Sequence, residues 1–199
     1  MHWYENEIKA LEERKKPLVR DHESVIFYGS SSIRLWDSLE TEFPEYHVLN
    51  MGFGGSTLAG CGWFFDRVLG DVRPKSLVLY AGDNDLGDGR HPEEVFLFFE
   101  AIHGYVRAYL PDTPFTFISV KPSPARFNLI ASMRRLNEWI AQSLAQSSHE
   151  TFVDVFSPMM DYGQNLQTLY TNDGLHMNAR GYDLWKSVLL QHRASVFGE

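Results

Sequence analysis

The chain has 199 residues, of which 44% are hydrophobic and 22% charged, and its formal net charge is −8. This composition is typical of one globular domain and excludes fibrous and disordered classes. The acidic balance argues against nucleic-acid binding, because such surfaces need clustered lysine and arginine to neutralise phosphates. We expect one domain over residues 1–199, with a helical extension over residues 1–20 packed on it.

The N-terminal residues carry charges in a helical pattern and do not resemble a signal peptide. No window of the sequence reaches the apolar length that a membrane span requires. The single cysteine, Cys61, excludes an internal disulfide and predicts a buried, unreactive thiol. By default, these features predict a cytoplasmic protein.

Five short apolar runs predict β-strands. They are nearly continuous in apolar residues, as expected of parallel strands that are covered on both faces. The predicted strands are residues 25–28, 47–51, 76–81, 115–120 and 151–155.

Helical stripes of apolar residues separate the later strands. One starts at Pro92 with acidic residues in its first turn, and a second follows residue 129. The last begins after Asn178, a residue that is typical of a helix N-cap. This alternation predicts an α/β fold with a mostly parallel five-stranded sheet between two layers of helices.

Polar clusters follow three of the predicted strands, which is where ligand sites of parallel sheets lie. The segment Gly29-Ser30-Ser31-Ser32 follows the first strand, and a helix N-cap is its alternative role. A glycine-rich segment over residues 50–57 follows the second strand and, alone, predicts a turn. In the third segment, residues 82–85, the side-chain amide of Asn84 can donate to an oxyanion.

An acid and a histidine stand close together near the C-terminus. Asp173 precedes His176 by three residues, just ahead of the last helix. A serine hydrolase needs a hydroxyl, an imidazole that takes its proton and an acid that orients the imidazole. One loop can present both groups to a serine, whereas Asp161 is a less well placed candidate for the acid.

Calcium binding is an alternative for the third segment. Asp83 and Asp85 have the spacing of an EF-hand loop, and Glu94 falls at its twelfth position. However, the sixth position needs glycine and holds Asp88, and a strand precedes the segment where an EF-hand has a helix. We therefore expect no metal at this segment.

Taken together, these segments resemble the SGNH, or GDSL-like, hydrolase family. Four blocks appear in the family's order, at residues 29–32, 50–57, 82–85 and 173–176. The last two match the family's Gly-x-Asn-Asp and Asp-x-x-His patterns without a gap, and the resemblance spans about residues 25–185. It implies a flavodoxin-like three-layer α/β/α sandwich and ester hydrolysis with no metal or other cofactor.

The resemblance also implies a role for each matched residue. Ser31 aligns with the nucleophile, His176 with the general base and Asp173 with the acid that holds it. The backbone N–H groups of Ser31 and Gly55, together with the side-chain amide of Asn84, align with the oxyanion hole.

Two features remain open beside this resemblance. Ser30 stands where the family usually has aspartate, and the neighbouring hydroxyls of Ser30 and Ser32 leave the register of the nucleophile to be tested. The segment 121–126 follows the fourth strand and can line the cleft. For Arg126, a helix start or a solvated position is favoured over contact with an anionic substrate.

For the remaining aromatic and histidine residues, we expect structural rather than catalytic roles. The aromatic residues expected in the core are Trp36, Trp63, Trp139, Trp185 and the stretch 96–99. Six histidines lack an acid at useful spacing, so surface or capping roles are expected of them: His22, His47, His91, His103, His149 and His192.

The predicted function is hydrolysis of small-molecule carboxylic esters with short or medium acyl groups, acetyl esters among them. The alternatives are hydrolysis of thioesters or lysophospholipids, a non-catalytic binding module on the same fold, and a flavin-binding flavodoxin. The sequence does not indicate an oligomeric state.

Overall fold

The computed structural model describes residues 1–199, apart from the side chain of Arg20. Five strands form one sheet in the order β2-β1-β3-β4-β5, and every neighbouring pair is parallel. The strands are β1 (Ser24–Gly29), β2 (His47–Gly52), β3 (Ser76–Tyr80), β4 (Phe115–Ile118) and β5 (Glu150–Val153). The predicted α/β fold is confirmed, and each predicted strand boundary lies within about two residues of the observed one.

Helices cover the sheet and connect its strands. The α-helices are α1 (Glu5–Lys15), α2 (Ser31–Arg34), α3 (Leu39–Glu42), α4 (Leu58–Leu69), α5 (Asp83–Gly87), α6 (Pro92–Tyr109), α7 (Ile130–Leu144), α8 (Phe156–Met160), α9 (Ala179–Gln191) and α10 (Arg193–Phe197). Short 3-10 turns occupy His2–Tyr4, Lys16–Arg20, Pro124–Leu129 and Gly163–Leu169. Among the residues described, no helix is both long and apolar enough to cross a membrane.

Two hydrophobic cores, one on each face of the sheet, give the fold its three layers. Because side chains alternate along a strand, Ile26 and Tyr28 of β1 lie in the core with α1, α4, α6 and α7. Val25 and Phe27 lie in the second core with α2, α3, α9 and α10. The central strands are buried along their whole length, which explains their nearly continuous apolar sequence.

Local sequence signals set several helix starts. The Asn178 side chain accepts hydrogen bonds from the backbone N–H groups of Arg180 and Gly181, at 3.0 and 3.3 Å, so the predicted N-cap of α9 is confirmed. The Thr57 hydroxyl caps α4 in the same way by accepting from Gly60 N at 2.9 Å. The sequence analysis did not identify α4, since glycines weaken the helical propensity of its first turns.

Some residues expected in the core lie elsewhere. Trp36 and Trp185 are buried as predicted, but Trp63 is 70% exposed and Leu97 is 67% exposed. Both lie on the outer sides of helices whose other faces bury apolar residues.

Cys61 is buried as predicted, and burial raises the pKa of its thiol far above the ordinary value.

His103 is also placed differently from the prediction. Its ring stacks between Phe99 and Phe115, with ring centroids at 5.6 and 5.9 Å. Its Nε2 atom lies 2.6 Å from a carboxylate oxygen of Glu150, whose side chain is 4% exposed. Since β5 supplies this carboxylate from a distant part of the sequence, local spacing could not reveal the pair.

The sheet register brings three loops to one level. Gly29, the last residue of β1, pairs with Gly52 of β2 on one side and with Tyr80 of β3 on the other. The chain order reverses between β1 and β3, where parallel sheets open a crevice at their carboxyl ends. The loops that follow these three strands therefore start side by side.

Gly29 is one position where this register tolerates no side chain. Its φ is +139°, and a Cβ atom would lie 1.9 Å from the Tyr80 carbonyl oxygen. We expect Gly29→Ala to lower the free energy of unfolding by more than about 3 kcal/mol, measured by urea denaturation. Gly104→Ala is the control, because a Cβ on this exposed helical glycine meets nothing within 4 Å.

The control is expected to raise the free energy of unfolding by roughly 0.5–1 kcal/mol, because alanine favours helix more than glycine does. A Gly29→Ala protein as stable as the wild type would contradict the close approach of β1 and β3.

Candidate active site

A serine, a histidine and an aspartate form a hydrogen-bonded chain above the carboxyl end of β1. Ser31 is the first residue of α2, and its Oγ lies 3.2 Å from Nε2 of His176. The other ring nitrogen, Nδ1, lies 2.6 Å from Oδ2 of Asp173. The structure thus brings together the three residues that the sequence analysis selected, in the order that nucleophilic catalysis requires.

The loop of residues 171–176 fixes the acid. Oδ1 of Asp173 accepts hydrogen bonds from the backbone N–H groups of Leu175 and His176, at 2.8 and 2.9 Å, and from the Thr171 hydroxyl at 2.8 Å. Desolvation tends to raise the pKa of Asp173, but these bonds and the one from the His176 ring hold it well below its usual range. The acid is therefore an anion at neutral pH. The rival, Asp161, lies exposed at the end of α8.

Only the middle serine of the cluster contacts the histidine. Ser31 is half-buried, whereas Ser30 and Ser32 are 0% and 2% exposed. The Ser30 carbonyl accepts from the N–H groups of Ile33 and Arg34 and so begins α2 through the backbone, without a cap by its hydroxyl. Within the described residues, the Ser30 hydroxyl has no hydrogen-bond partner.

The loop after β2 presents a free N–H group. Gly55 is exposed and has a φ of +67°, a conformation that glycine adopts without strain. Phe53 N donates to the Gly29 carbonyl at 2.9 Å, and Gly54 N donates to Oε2 of Glu7 at 2.9 Å. The N–H groups of Gly55 and Ser31 donate to no other described residue, so both are available to an oxyanion.

The Asn84 amide is held in one orientation. Its nitrogen donates to the Ser56 carbonyl at 3.0 Å, and its oxygen accepts from Nη2 of Arg126 at 2.9 Å. Only this orientation satisfies both partners, since the carbonyl can only accept and the guanidinium can only donate. The second N–H of the amide remains available for a substrate oxygen.

The sequence analysis expected Arg126 to be a solvated side chain or a helix start. The structure instead places it in contact with Asn84 and Asp83. It is 18% exposed, and its Nη1 atom lies 3.2 Å from Oδ2 of Asp83. The same carboxylate oxygen lies 3.4 Å from Nζ of the buried Lys121, which also donates to the Leu175 carbonyl at 3.0 Å. Burial lowers the pKa of Lys121, and the Asp83 charge opposes that shift.

This group of charges links the segment after β4 to both halves of the site. Lys121 reaches the loop that carries Asp173, and Arg126 reaches the Asn84 amide. The sequence placed residues 121–126 beside the cleft but could not identify these contacts. Arg126 and Asn84 are 42 residues apart, and no local motif connects them.

The three carboxylates of the calcium alternative point to different partners. Asp83 contacts the two cations described above, and Oδ2 of Asp85 accepts from Leu58 N at 2.8 Å. Glu94 pairs with Arg90, four residues earlier. The segment therefore does not form the EF-hand-like loop that the spacing suggested.

The sequence profile of the GDSL-like Lipase/Acylhydrolase family matches residues 26–184. The chain belongs to this GDSL-like family. It is therefore an enzyme of the lipase and acylhydrolase class, and the flavodoxin alternative is wrong. A comparison with curated protein sequences finds no match.

Solved structures with the same fold include three from different organisms. A protein from Streptococcus pneumonia, provisionally described as a platelet activating factor, is 21% identical with a TM-score of 0.80, over 96% of this chain and 94% of that one. A GDSL-like lipase from Bacteroides thetaiotaomicron is 22% identical with a TM-score of 0.77, over 93% and 96%. A carbohydrate esterase family 3 protein from Talaromyces cellulolyticus is 13% identical with a TM-score of 0.67, over 88% and 98%. At these identities, the likeness establishes the fold alone.

The N-terminal extension of this GDSL-like protein supplies contacts that the sequence analysis missed. The Tyr4 hydroxyl donates to the Gly55 carbonyl at 2.8 Å, and the Glu7 carboxylate accepts from Gly54. Both residues lie before the part of the chain that matches the family profile. The charged, helical pattern of this segment predicted a helix, and nothing in it pointed to the glycine-rich loop.

Asp85 provides a test through the pH dependence of stability. Burial raises its pKa from 3.8 to about 6, although hydrogen bonds from the N–H groups of Leu58 and Ala59 oppose the shift. The protonated form therefore stabilises the folded state below pH 4, and this contribution is lost as the pH rises through 6.

Asp85→Asn removes this titration and keeps an oxygen that can accept from Leu58. We expect its free energy of unfolding, relative to the wild type, to rise by about 2 kcal/mol between pH 4 and pH 7.5. Urea denaturation at several pH values measures the difference, and the exposed Asp88→Asn serves as the control. A difference between Asp85→Asn and the wild type that is constant with pH would contradict the raised pKa of the buried Asp85 carboxyl group.

Proposed function

We propose that the protein is a serine esterase that hydrolyses carboxylic esters with short or medium acyl groups, acetyl esters among them. The observation that carries this proposal is the continuous chain from Ser31 Oγ through the His176 ring to Asp173, with distances of 3.2 and 2.6 Å. Both distances permit proton transfer from the hydroxyl to an imidazole whose orientation the carboxylate fixes.

In the first half of the proposed reaction, Ser31 Oγ attacks the acyl carbonyl carbon. Its proton passes to Nε2 of His176, and the carbonyl oxygen becomes an oxyanion. The N–H groups of Ser31 and Gly55 and the Asn84 amide donate to that oxygen. Such donors stabilise charge that is absent from the ground state, so they accelerate the chemical step.

In the second half, collapse of the tetrahedral intermediate breaks the bond to the alcohol. The His176 imidazolium gives its proton to the leaving oxygen, and the acyl group stays on Ser31. Water then repeats the sequence, with His176 as its base, and releases the carboxylic acid. Asp173 remains an anion throughout and stabilises the imidazolium.

The candidate site is open to solvent. Ser31 is half-buried, and the side chains of His176 and Asp173 are 33% and 47% exposed, so an ester can approach directly from solvent. The solved relatives described as a lipase and a carbohydrate esterase support acyl-ester chemistry without selecting an alcohol. No contact at the site favours thioesters or lysophospholipids. The cytoplasmic location stays a prediction.

Mass spectrometry after treatment with a fluorophosphonate tests this proposal. We expect one adduct per chain on the peptide that contains Ser31, because a serine activated by histidine is phosphonylated where ordinary serines are not. Ser31→Ala should lose both the adduct and hydrolysis of p-nitrophenyl acetate. Ser30→Ala and Ser32→Ala are matched controls from the same segment and should keep both.

Two results would count against the proposal. A folded wild-type protein that takes no label and hydrolyses no ester would remove the claim of an activated serine. An adduct that persists in Ser31→Ala and disappears in Ser30→Ala or Ser32→Ala would transfer the role to a neighbour.

A further inference from the structure

The helix α1 packs directly beside the candidate site, although the family profile begins only at residue 26. Arg67 of α4 holds α1 in place by pairing with Glu5 and Glu12, at 2.9 and 2.8 Å. The N-terminal segment thus has a fixed position relative to the helix that follows the glycine-rich loop. That position brings Tyr4 and Glu7 to the loop itself.

Tyr4 reaches the loop from the protein interior. It is 6% exposed, and its ring packs edge-on against Phe53 and Phe64, with centroids at 5.2 and 6.1 Å. Its hydroxyl donates to the Gly55 carbonyl at 2.8 Å. Burial raises the pKa of Tyr4, so the hydroxyl keeps the proton that it donates.

Glu7 reaches the same loop one helical turn later. Its Oε2 atom accepts from Gly54 N at 2.9 Å and lies 3.5 Å from Nε of Arg34. Arg34 ends the short helix that begins with Ser31, so Glu7 also links the loop to the segment of the nucleophile. The Arg34 charge offsets the carboxylate charge near the place where an oxyanion would form.

These two contacts lie on either side of one peptide group. Gly54 N belongs to the peptide before it, and the Gly55 carbonyl belongs to the peptide after it. The peptide between them carries the free Gly55 N–H. Consecutive glycines have wide conformational freedom, so an unanchored Gly54-Gly55 segment would direct this N–H over many orientations.

We propose that Tyr4 and Glu7 are positioning residues, which hold the Gly55 N–H in the direction that an oxyanion requires. This inference rests on the proposed esterase function. It assigns to the N-terminal helix a part in transition-state stabilisation as well as in packing. Substrate binding in the ground state should depend on the two residues much less than turnover does.

The test compares kcat and KM for p-nitrophenyl acetate in single variants. Tyr4→Phe and Glu7→Ala each remove one contact to the loop, and each should lower kcat about 3- to 10-fold with KM changed less than about twofold. The rate of fluorophosphonate labelling should fall in parallel, because that reaction also develops negative charge in the hole. Glu7→Gln keeps an oxygen acceptor and should recover most of kcat.

Two control variants separate positioning from packing. Tyr28→Phe removes a buried hydroxyl that donates to the Cys61 carbonyl of α4 at 2.9 Å and makes no hydrogen bond to Gly54 or Gly55. Glu13→Ala removes an exposed carboxylate of α1 that pairs with Lys16 and does not contact the loop. Neither variant should lower kcat, measured well below the melting temperatures, whereas Tyr28→Phe should lower the melting temperature.

The outcomes distinguish this inference from the function on which it rests. An active wild type whose kcat is unchanged in Tyr4→Phe and Glu7→Ala would overturn the inference alone. Equal losses of kcat in Glu7→Ala and Glu13→Ala, or a rise in KM in place of the fall in kcat, would also overturn it. A wild type with neither labelling nor hydrolysis would overturn the proposed function first.

Discussion

The pairing of β1 with β2 and β3 at Gly29 is the constraint on which the site depends. Because Gly29 lies opposite both Gly52 and Tyr80, three loops leave the sheet at one level. The first loop carries the serine, and the other two carry the glycine and the asparagine of the candidate oxyanion hole. The backbone of β3 passes so close to Gly29 that any Cβ would collide with it. The geometry of the site is therefore a consequence of strand packing.

Elements from outside the three loops hold these groups in place. Asp83 draws together Lys121 and Arg126, which in turn contact the loop of the acid and the Asn84 amide. Buried charges of this kind are stable only when they are paired, so the group favours one arrangement of the surrounding loops. The N-terminal helix performs a comparable task for the glycine loop. Ser31 and Asn84 thus lie in the first turns of short helices that follow two strands, and residues from other segments of the chain contribute the contacts that orient the site.

The sequence predicted the site best where residues of complementary chemistry lie close together along the chain. Asp173 and His176 stand on one loop, so their contact could be predicted from the sequence. The resemblance to the family selected Ser31 among the three serines that follow the first strand. The α/β fold followed from apolar runs of strand length. The helix α4 was missed because its glycines obscure the pattern, and Trp63 was misplaced for the same reason. The contacts of Tyr4 and Arg126 join distant segments, and no local signal could identify them.

The most direct test of the site is the crystal structure of the protein after reaction with a dialkyl fluorophosphate. The phosphorus should be bonded to Ser31 Oγ, and its phosphoryl oxygen should lie about 3 Å from Ser31 N, Gly55 N and Asn84 Nδ2. That result would place all three donors around a mimic of the tetrahedral intermediate. A phosphoryl oxygen that points to solvent, or that contacts none of the three groups, would contradict the proposed oxyanion hole.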